Sequence, residues 1–124
     1  MGKAKSPRRV GDNEALAVGT TIRGSAQKLN LVAGLIRGKK AEEALNILAF
    51  SKKAMARDAS KVLASAIANA ENNHNLSSSD LVIVSATVNQ GPVIKRSMPA
   101  ARGSAHPIHK SMSHIRVSLG SATK

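Results

Sequence analysis

Apolar side chains recur with a helical period through the first half of the chain. Ser25 precedes a stretch, residues 26–37, whose apolar residues fall on one helical face. These residues are Leu29, Val32, Ala33 and Ile36. A serine at this position is a favoured N-cap because its side-chain oxygen accepts a hydrogen bond from a free backbone N–H. Arg37 followed by Gly38 is typical of a helix end, so the pattern predicts a first helix over about 26–37.

Two further helices are predicted by the same period. Residues 41–49 place Glu42 and Glu43 in a first turn, where the helix dipole favours acids. Ser51 is suited to cap a longer helix over about 52–73. The apolar face of that helix comprises Met55, Ala59, Val62, Leu63, Ala66, Ile67 and Ala70. The helix over 41–49 has its own apolar stripe of Ala41, Ala44, Leu45 and Leu48. Both patterns are those of amphipathic helices with one buried face.

Outside the helices the period changes to alternation. Residues 15–23 can form a short strand. In the segments 81–88 and 114–119, apolar residues recur at every second position, as they do along one face of a strand. The last two segments predict strands with one buried face each. The sequence therefore predicts an α+β fold in which three helices pack on a small antiparallel sheet, with a long extended β-hairpin projecting from it.

The last two strands are joined by a long connection, residues 89–113, which reads NQGPVIKRSMPAARGSAHPIHKSMS. An ordinary hairpin turn takes about two to five residues. If both arms stay extended, about ten residues in each reach about 30 Å from the core at about 3.3 Å per residue. Such an arm has little apolar content to pack on itself, and its prolines remove ladder hydrogen bonds, so it should be mobile when free. An extended hairpin held by another macromolecule and a floppy surface loop both fit these features.

Charge indicates the kind of partner. Nineteen lysines and arginines face seven aspartates and glutamates, which gives a formal net charge of +12. Such a surplus repels itself unless a polyanion lies against it, and nucleic-acid phosphates or an anionic membrane would serve. Residues 1–11 carry no acid, and no acid follows Asp80. We therefore expect a flexible basic N-terminal arm over 1–13 and a single globular domain, with its hairpin, over 14–124.

The scarcity of aromatic side chains narrows the kind of recognition. Phe50 is the only aromatic residue, and there is no Trp or Tyr. Because single-strand binders usually stack bases on aromatic platforms, we expect RNA recognition here to read backbone, shape and tertiary junctions. The absence of cysteine excludes disulfides and suits a reducing cytoplasm. We also expect no membrane span and no secretory signal.

Three short patterns suggest other chemistry but have simpler explanations. The spacing of His106, His109 and His114 is not a metal-ligand signature, and no Cys or acid lies nearby. Ser25 and Lys28 match the S-x-x-K of serine acyl-transferring enzymes, but no S-D-N or K-T-G follows, and an N-cap explains the serine. The opening MGKAKS fits a myristoylation pattern that is short and frequent by chance. No enzymatic activity, metal or cofactor is therefore expected.

Longer motifs occupy most of the chain. They are SAQKLNLVAGLIRGKKAEEALNIL (25–48), KVLASAIANAENNHNL (61–76), NQGPVIKRSMPAARGSAHPI (89–108) and MSHIRVSL (112–119). In order and spacing they resemble the first two helices, the long third helix, the hairpin and the returning strand of a known family. That family is large-subunit ribosomal protein twenty-two, of the bacterial type. The resemblance covers about residues 14–119.

This resemblance implies a globular domain on the outside of the large ribosomal subunit and a hairpin threaded into the ribosomal RNA. In that family the hairpin lines the nascent-chain exit tunnel, near the region where macrolides bind, and the protein helps assembly. The implied partners are large-subunit rRNA, neighbouring large-subunit ribosomal proteins and the nascent polypeptide. A ribosome-bound cytoplasmic protein with no membrane contact and no homo-oligomer is expected.

The resemblance and the charge pattern together give candidate rRNA-binding residues. By position, the resemblance implies Ser25, Lys28, Arg37, Lys39, Lys40, Lys95, Arg96, Arg102 and Gly103. The basic and imidazole side chains add Arg8, Arg9, Arg23, Lys53, Arg57, Lys61, His106, His109, Lys110 and Arg116. For the cations of the third helix, a merely solvated face remains an alternative. Ala100, Ser104 and Pro107 stand where the family is usually basic, so the hairpin tip departs from the family pattern.

Two other classes of protein fit part of these features. A general DNA- or RNA-compacting protein fits the charge and would bind unrelated duplexes with similar affinity and a steep salt slope. A peripheral membrane protein fits the basic arm and MGKAKS. Both leave the long connection with its prolines and glycines unexplained. The expected function is therefore that of a structural large-subunit protein that binds rRNA, assists assembly and lines the exit tunnel.

Overall fold

The computed structural model describes residues 14–121 and consists of three helices packed on one antiparallel sheet. The strands are β1 (Glu14–Arg23), β2 (Leu81–Pro99) and β3 (Ala105–Ser121), and the helices are α1 (Ala26–Ile36), α2 (Ala41–Ala49) and α3 (Met55–His74). Single 3-10 turns lie at Ser78–Asp80 and Ala101–Gly103. The order across the sheet is β1–β3–β2. The predicted α+β fold is confirmed, whereas the predicted arm over 1–13 lies outside the described residues.

The hydrophobic core lies between the helices and the sheet. The central strand β3 supplies Ile115, Val117 and Leu119, all fully buried, as their alternation predicted. The four apolar residues predicted for α1 are fully buried as well. The buried face of α3 is rich in alanine, and this allows the helix to lie close to β1. A Cβ atom on Gly19 of β1 would overlap Cγ2 of Val62 on α3, so only glycine fits at this crossing without a shift.

The helix ends follow local capping rules in one case and depart from the prediction in another. The Lys28 N–H donates to Ser25 Oγ at 3.3 Å, which confirms Ser25 as the N-cap of α1. The predicted start of the third helix at about residue 52 is wrong, since α3 begins at Met55 with Ala54 at the N-cap. Ser51 Oγ instead accepts from the Lys53 N–H at 3.3 Å. This local turn competes with the start of a helix. The residues between α2 and α3 therefore form the connection in which the chain reverses direction.

A bulge in β2 decides which of its residues are buried. Ile83 pairs with Leu119 and Ser85 pairs with Ser118, so Val84 has no partner in the ladder. Beyond such an insertion the inward-facing positions shift by one residue. Leu81 and Ile83 are therefore buried before the bulge and Ala86 after it, while Val84 is 55% exposed. One uninterrupted alternation over 81–88, as predicted, is replaced by two half-strands of opposite phase.

The long connection is a paired hairpin almost to its tip. Pairing between β2 and β3 runs from Leu81 and Ser121 to Pro99 and Ala105, with one irregularity between Gln90 and Val93. Pro92 falls in that irregularity, where a missing N–H does not interrupt the ladder. None of residues 89–112, all of which are described, is buried. The predicted projecting hairpin is thus confirmed. The name hairpin arms is used below for residues 93–99 and 105–111.

Among residues 14–121, no helix is both long and apolar enough to cross a lipid bilayer.

Candidate nucleic-acid interface

The register of the hairpin arms distributes their cations over both faces of the ribbon. Lys95 pairs with His109, Arg96 with Ile108, and Ile94 with Lys110. Because neighbouring residues of a strand point to opposite faces, Lys95 and His109 share one face, whereas Arg96 and Lys110 lie on the other. These four side chains are exposed. Lys95 and Arg96, which the sequence predicted as a pair of RNA-binding residues, therefore lie on opposite faces of the ribbon.

The hairpin tip is a tight turn that carries one cation. The Ala100 N–H donates to the Ser104 carbonyl at 2.8 Å, and Ser104 Oγ donates to the Ala101 carbonyl at 2.8 Å. Arg102 and Gly103 both adopt left-handed backbone, with φ of 62° and 73°. A Cβ on Gly103 would meet nothing within 4 Å, so the backbone angle rather than space favours glycine there. The turn presents the exposed Arg102 at the end of the hairpin.

A second group of cations surrounds an open cleft where α2 ends and α3 begins. The cleft encloses about 730 Å³, and Lys52, Lys53, Arg57 and Lys61 line it with Asp58 as the single acid of the lining. We call these four cations and the space between them the basic cleft. The remaining lining residues are Leu48, Ala49, Ser51, Ala54, Ala56 and Ser60. Arg57 and Lys61 stand four residues apart on α3 and so share one helical face, whereas Lys53 lies in the segment before the helix.

Sequence reasoning missed one member of this cleft and the groove that another member shares with Lys28. Lys52 was not predicted as a site residue, because it does not belong to the helical stripe. The chain reversal before α3 brings it to the same cleft. Lys53 also lines a groove of about 430 Å³ together with Lys28, Leu31, Val32, Ala54 and Met55. The fold thus joins two predicted cations, Lys28 and Lys53, that stand far apart in the chain.

The corner after α1 is held against β2 by both backbone and side chain. The Ile83 N–H donates to the Lys39 carbonyl at 2.9 Å, and Lys40 forms an isolated bridge with Val82. Arg37 Nε donates to the Ala86 carbonyl at 2.8 Å, and Arg37 Nη2 donates to Asn30 Oδ1. The Arg37 guanidinium therefore fastens α1 to β2. The side chains of Lys39 and Lys40 remain exposed.

The outer face of the sheet carries the third group. Arg116 and His114 line a shallow depression of about 460 Å³ with Leu16, Val18, Thr20 and Asn89. His114 Nδ1 accepts a hydrogen bond from the Thr21 N–H at 3.1 Å, where β1 is irregular and Thr21 has a φ of 57°. This imidazole consequently has a structural partner at the root of the hairpin. Arg23 lies at the end of β1, opposite Met112, and is exposed.

Four predicted residues and the possible metal site remain to be located. His106 pairs with Met98 and so lies on the opposite ribbon face from His109. No three His, Cys, Asp or Glu side chains within residues 14–121 come together as metal ligands would. The oxygen of the Ser25 hydroxyl is engaged in capping α1. Arg8 and Arg9 lie outside the described residues.

Comparison with known proteins assigns the chain to a family. The family model described as ribosomal protein L22p/L17e matches residues 17–120. A protein named large ribosomal subunit protein uL22 from Erythrobacter litoralis is 73% identical over 117 residues, which cover 94% of each chain. Proteins of the same name from Novosphingobium aromaticivorans and Zymomonas mobilis are 66% and 65% identical over 117 residues, covering 94% of this chain and 94% and 93% of theirs. The chain therefore belongs to the ribosomal protein L22p/L17e family, a family of structural ribosomal components rather than enzymes.

Proposed function

We propose that this chain is a constituent of the large ribosomal subunit that binds large-subunit rRNA, assists subunit assembly and lines the polypeptide exit tunnel with its hairpin. The relatives named large ribosomal subunit protein uL22 support the subunit. The observation that carries the proposal is the hairpin, whose arms contain no buried residue and have cations on both faces. Large-subunit rRNA, neighbouring ribosomal proteins and the nascent polypeptide are the partners, and the protein works bound to cytoplasmic ribosomes.

The hairpin arms are suited to a polyanionic surrounding. Each arm extends about 20 Å at about 3.3 Å per residue, beyond the last buried positions of the sheet. A ribbon without a core of its own gains its stability from what surrounds it. Lys95 on one face and Arg96 on the other can each neutralise a phosphate, so RNA can be held on both sides at once. A ribbon that lay on a flat surface would need cations on one face only.

The basic cleft supports a second RNA contact on the globular part. Four cations against one acid attract phosphate, and the release of condensed counterions makes such contacts favourable at moderate salt. The cleft lies on the helices, whereas the hairpin leaves from the sheet. Two basic surfaces on separate elements can bridge RNA segments that are distant in the RNA sequence. This bridging is the physical basis proposed for the role in assembly.

Sedimentation tests the proposal as a whole. The tagged protein is expressed in cells, and the extract is sedimented through a sucrose gradient at physiological salt. We expect the protein in the large-subunit peak. A protein that remains at the top of the gradient would show that the proposal is wrong.

A shortened hairpin tests whether the hairpin is needed for incorporation into the large subunit. Residues 94–110 are replaced by Asn-Gly, which joins Val93 and Ser111, a register pair, through a two-residue turn. Because the removed residues bury nothing, the globular part should still fold. We expect the shortened protein to be depleted from mature large subunits relative to the full chain. Equal incorporation would remove the hairpin from the proposed mechanism.

The salt dependence of RNA binding tests the basic cleft. The affinity for large-subunit rRNA is measured over a range of salt concentrations. Changing Lys53, Arg57 and Lys61 together to alanine should reduce the slope of log affinity against log salt concentration by about two to three, because each phosphate contact contributes about 0.7 to 0.9 to that slope. The matched control exchanges Lys for Arg and Arg for Lys at the same positions and should keep the slope. An unchanged slope in the alanine variant would assign these cations to a merely solvated face.

A further inference from the structure

The single aromatic side chain of this protein lies in solvent. Phe50 is 88% exposed, which makes it the most exposed of the large hydrophobic side chains in residues 14–121. The next, Leu31, is 59% exposed. A single apolar side chain on a protein surface needs no partner by itself. Phe50 points to a ligand only together with Lys52 and Lys53, the cations that follow it closely in the chain. The sequence did not indicate this exposure.

The backbone that carries this ring is fixed. Phe50 is the C-cap of α2, and its N–H donates to the Asn46 carbonyl at 3.2 Å. The Ser51 N–H donates to the Leu48 carbonyl at 3.3 Å, so the last turn of α2 is closed on both sides of the ring. Because this backbone is already ordered, binding of the ring costs side-chain freedom but little backbone freedom.

The position of Phe50 relative to the basic cleft defines the ligand chemistry. Its chain neighbours Ala49 and Ser51 both line the cleft, and Lys52 and Lys53 follow directly. Phe50 itself is not one of the lining residues, so it adjoins the cleft through its chain neighbours. A π-face adjoining a group of cations matches a nucleotide, whose base stacks on aromatic rings and whose phosphate binds Lys and Arg. An apolar protein surface would instead have to cover these charges.

We propose that Phe50 stacks on an unpaired base of the large-subunit rRNA while the basic cleft holds a phosphate of the same RNA segment. The inference rests on the proposed rRNA binding and adds a second kind of contact to it. Backbone and shape recognition, expected from the scarcity of aromatics, is joined by one stacking contact. Because every base has a π-face, this contact tolerates any base but requires one that is not paired within a helix.

The composition of the chain offers a direct spectroscopic test. The protein has no Trp and no Tyr, so Phe50→Trp introduces a fluorophore that reports this position alone. The variant is titrated with an in vitro transcript of the large-subunit rRNA and, separately, with a continuous RNA duplex of random sequence. We expect the rRNA to quench the indole fluorescence by stacking. The duplex, bound through phosphates alone, should leave it nearly unchanged.

Affinity measurements with other variants separate stacking from simple apolar contact. Phe50→Ala should weaken binding to the rRNA transcript about tenfold, within the range expected for one stacked base. Phe50→Leu, which keeps an apolar side chain but has no π-face, should be nearly as weak. Phe50→Tyr should bind like the wild type. Circular dichroism should show no change of fold, because the ring has almost no protein contacts.

The outcomes distinguish this inference from the proposed function. Tight binding to the rRNA by Phe50→Leu, without quenching in Phe50→Trp, would overturn the stacking contact and leave rRNA binding intact. A blue shift of the indole emission that occurs only when other ribosomal proteins are added would also overturn it, in favour of a protein contact. A wild type that binds duplex and rRNA equally well would contradict the proposed function itself.

Discussion

The crossing of β1 over α3 gives a sharp test of the packing, because it depends on one missing methyl group. A Cβ on Gly19 would overlap Val62 Cγ2 and would lie 3.2 Å from both Ile115 Cγ2 and Ile22 Cδ1. Val62 is only 9% exposed, and a valine in a helix has one strongly preferred side-chain rotamer. The added methyl of Gly19→Ala can therefore be accommodated only by a strained rotamer or a displaced strand.

Overpacking of this kind costs about 1 to 3 kcal/mol of unfolding free energy. For a domain of this size, each kcal/mol lowers the melting temperature by about 4 °C. We therefore expect Gly19→Ala to melt about 4 to 12 °C below the wild type. Thermal and urea unfolding followed by circular dichroism measure the difference. Gly34→Ala is the matched control, since the nearest atom to its new Cβ is Arg37 Nη1 at 3.9 Å, and it should gain up to about 1 kcal/mol from helix propensity.

A double variant examines the cause of the loss. Val62→Ala removes the overlapping methyl and by itself leaves a small cavity, so it is destabilised on its own. Combined with Gly19→Ala, the new methyl occupies part of that cavity. The double variant should then be more stable than the sum of the single losses by about 1 kcal/mol or more. Additive losses, or a Gly19→Ala protein as stable as the wild type, would refute the close crossing of β1 and α3.

Further predictions concern the hairpin and the corner after α1. Lys95→Ala combined with Arg96→Ala should reduce incorporation into large subunits more than Lys3→Ala combined with Lys5→Ala, as measured by competition in vivo; equal effects would contradict the proposed importance of the two hairpin faces. In the free protein, backbone amides of the hairpin arms should exchange with deuterium much faster than those in the middle of α3, because the arms lack buried neighbours. Equal protection would count against ordering of the hairpin on binding. Arg37→Ala should lower the free energy of unfolding by about 1 to 2 kcal/mol, since a β2 carbonyl loses its donor, and unfolding in urea would detect this; no change would mean that water replaces the guanidinium.

Much of the fold was predictable because its signals are local. The buried face of α1 follows from the spacing of its apolar residues, and the cap at Ser25 follows from a hydroxyl placed before the first turn. The alternation around Ile115 identifies the central strand in the same way. The hairpin was predictable from the length of the segment between two strands and from its low apolar content, which gives it little to pack on itself.

The candidate site was predictable only in part, because the sequence gives charge but not position. The cations of the hairpin and of α3 were identified as RNA-binding candidates, and that role remains a prediction. Lys52 was missed, since its place in the basic cleft depends on how the chain turns between two helices. Arg37 was expected at RNA, and its bond to the Ala86 carbonyl shows a structural use that depends on a strand far along the chain.

The sequence by itself determined the helices, the central strand, the extended hairpin and the large excess of positive charge. Periodicity, capping residues and net charge need no knowledge of distant residues. The tertiary structure alone decided the phase of β2 on either side of Val84, the division of Lys95 and Arg96 between two faces, and the exposure of Phe50 beside the basic cleft. Each of these depends on strand register or on helix docking, which are set by packing between segments that the chain brings together only when it folds.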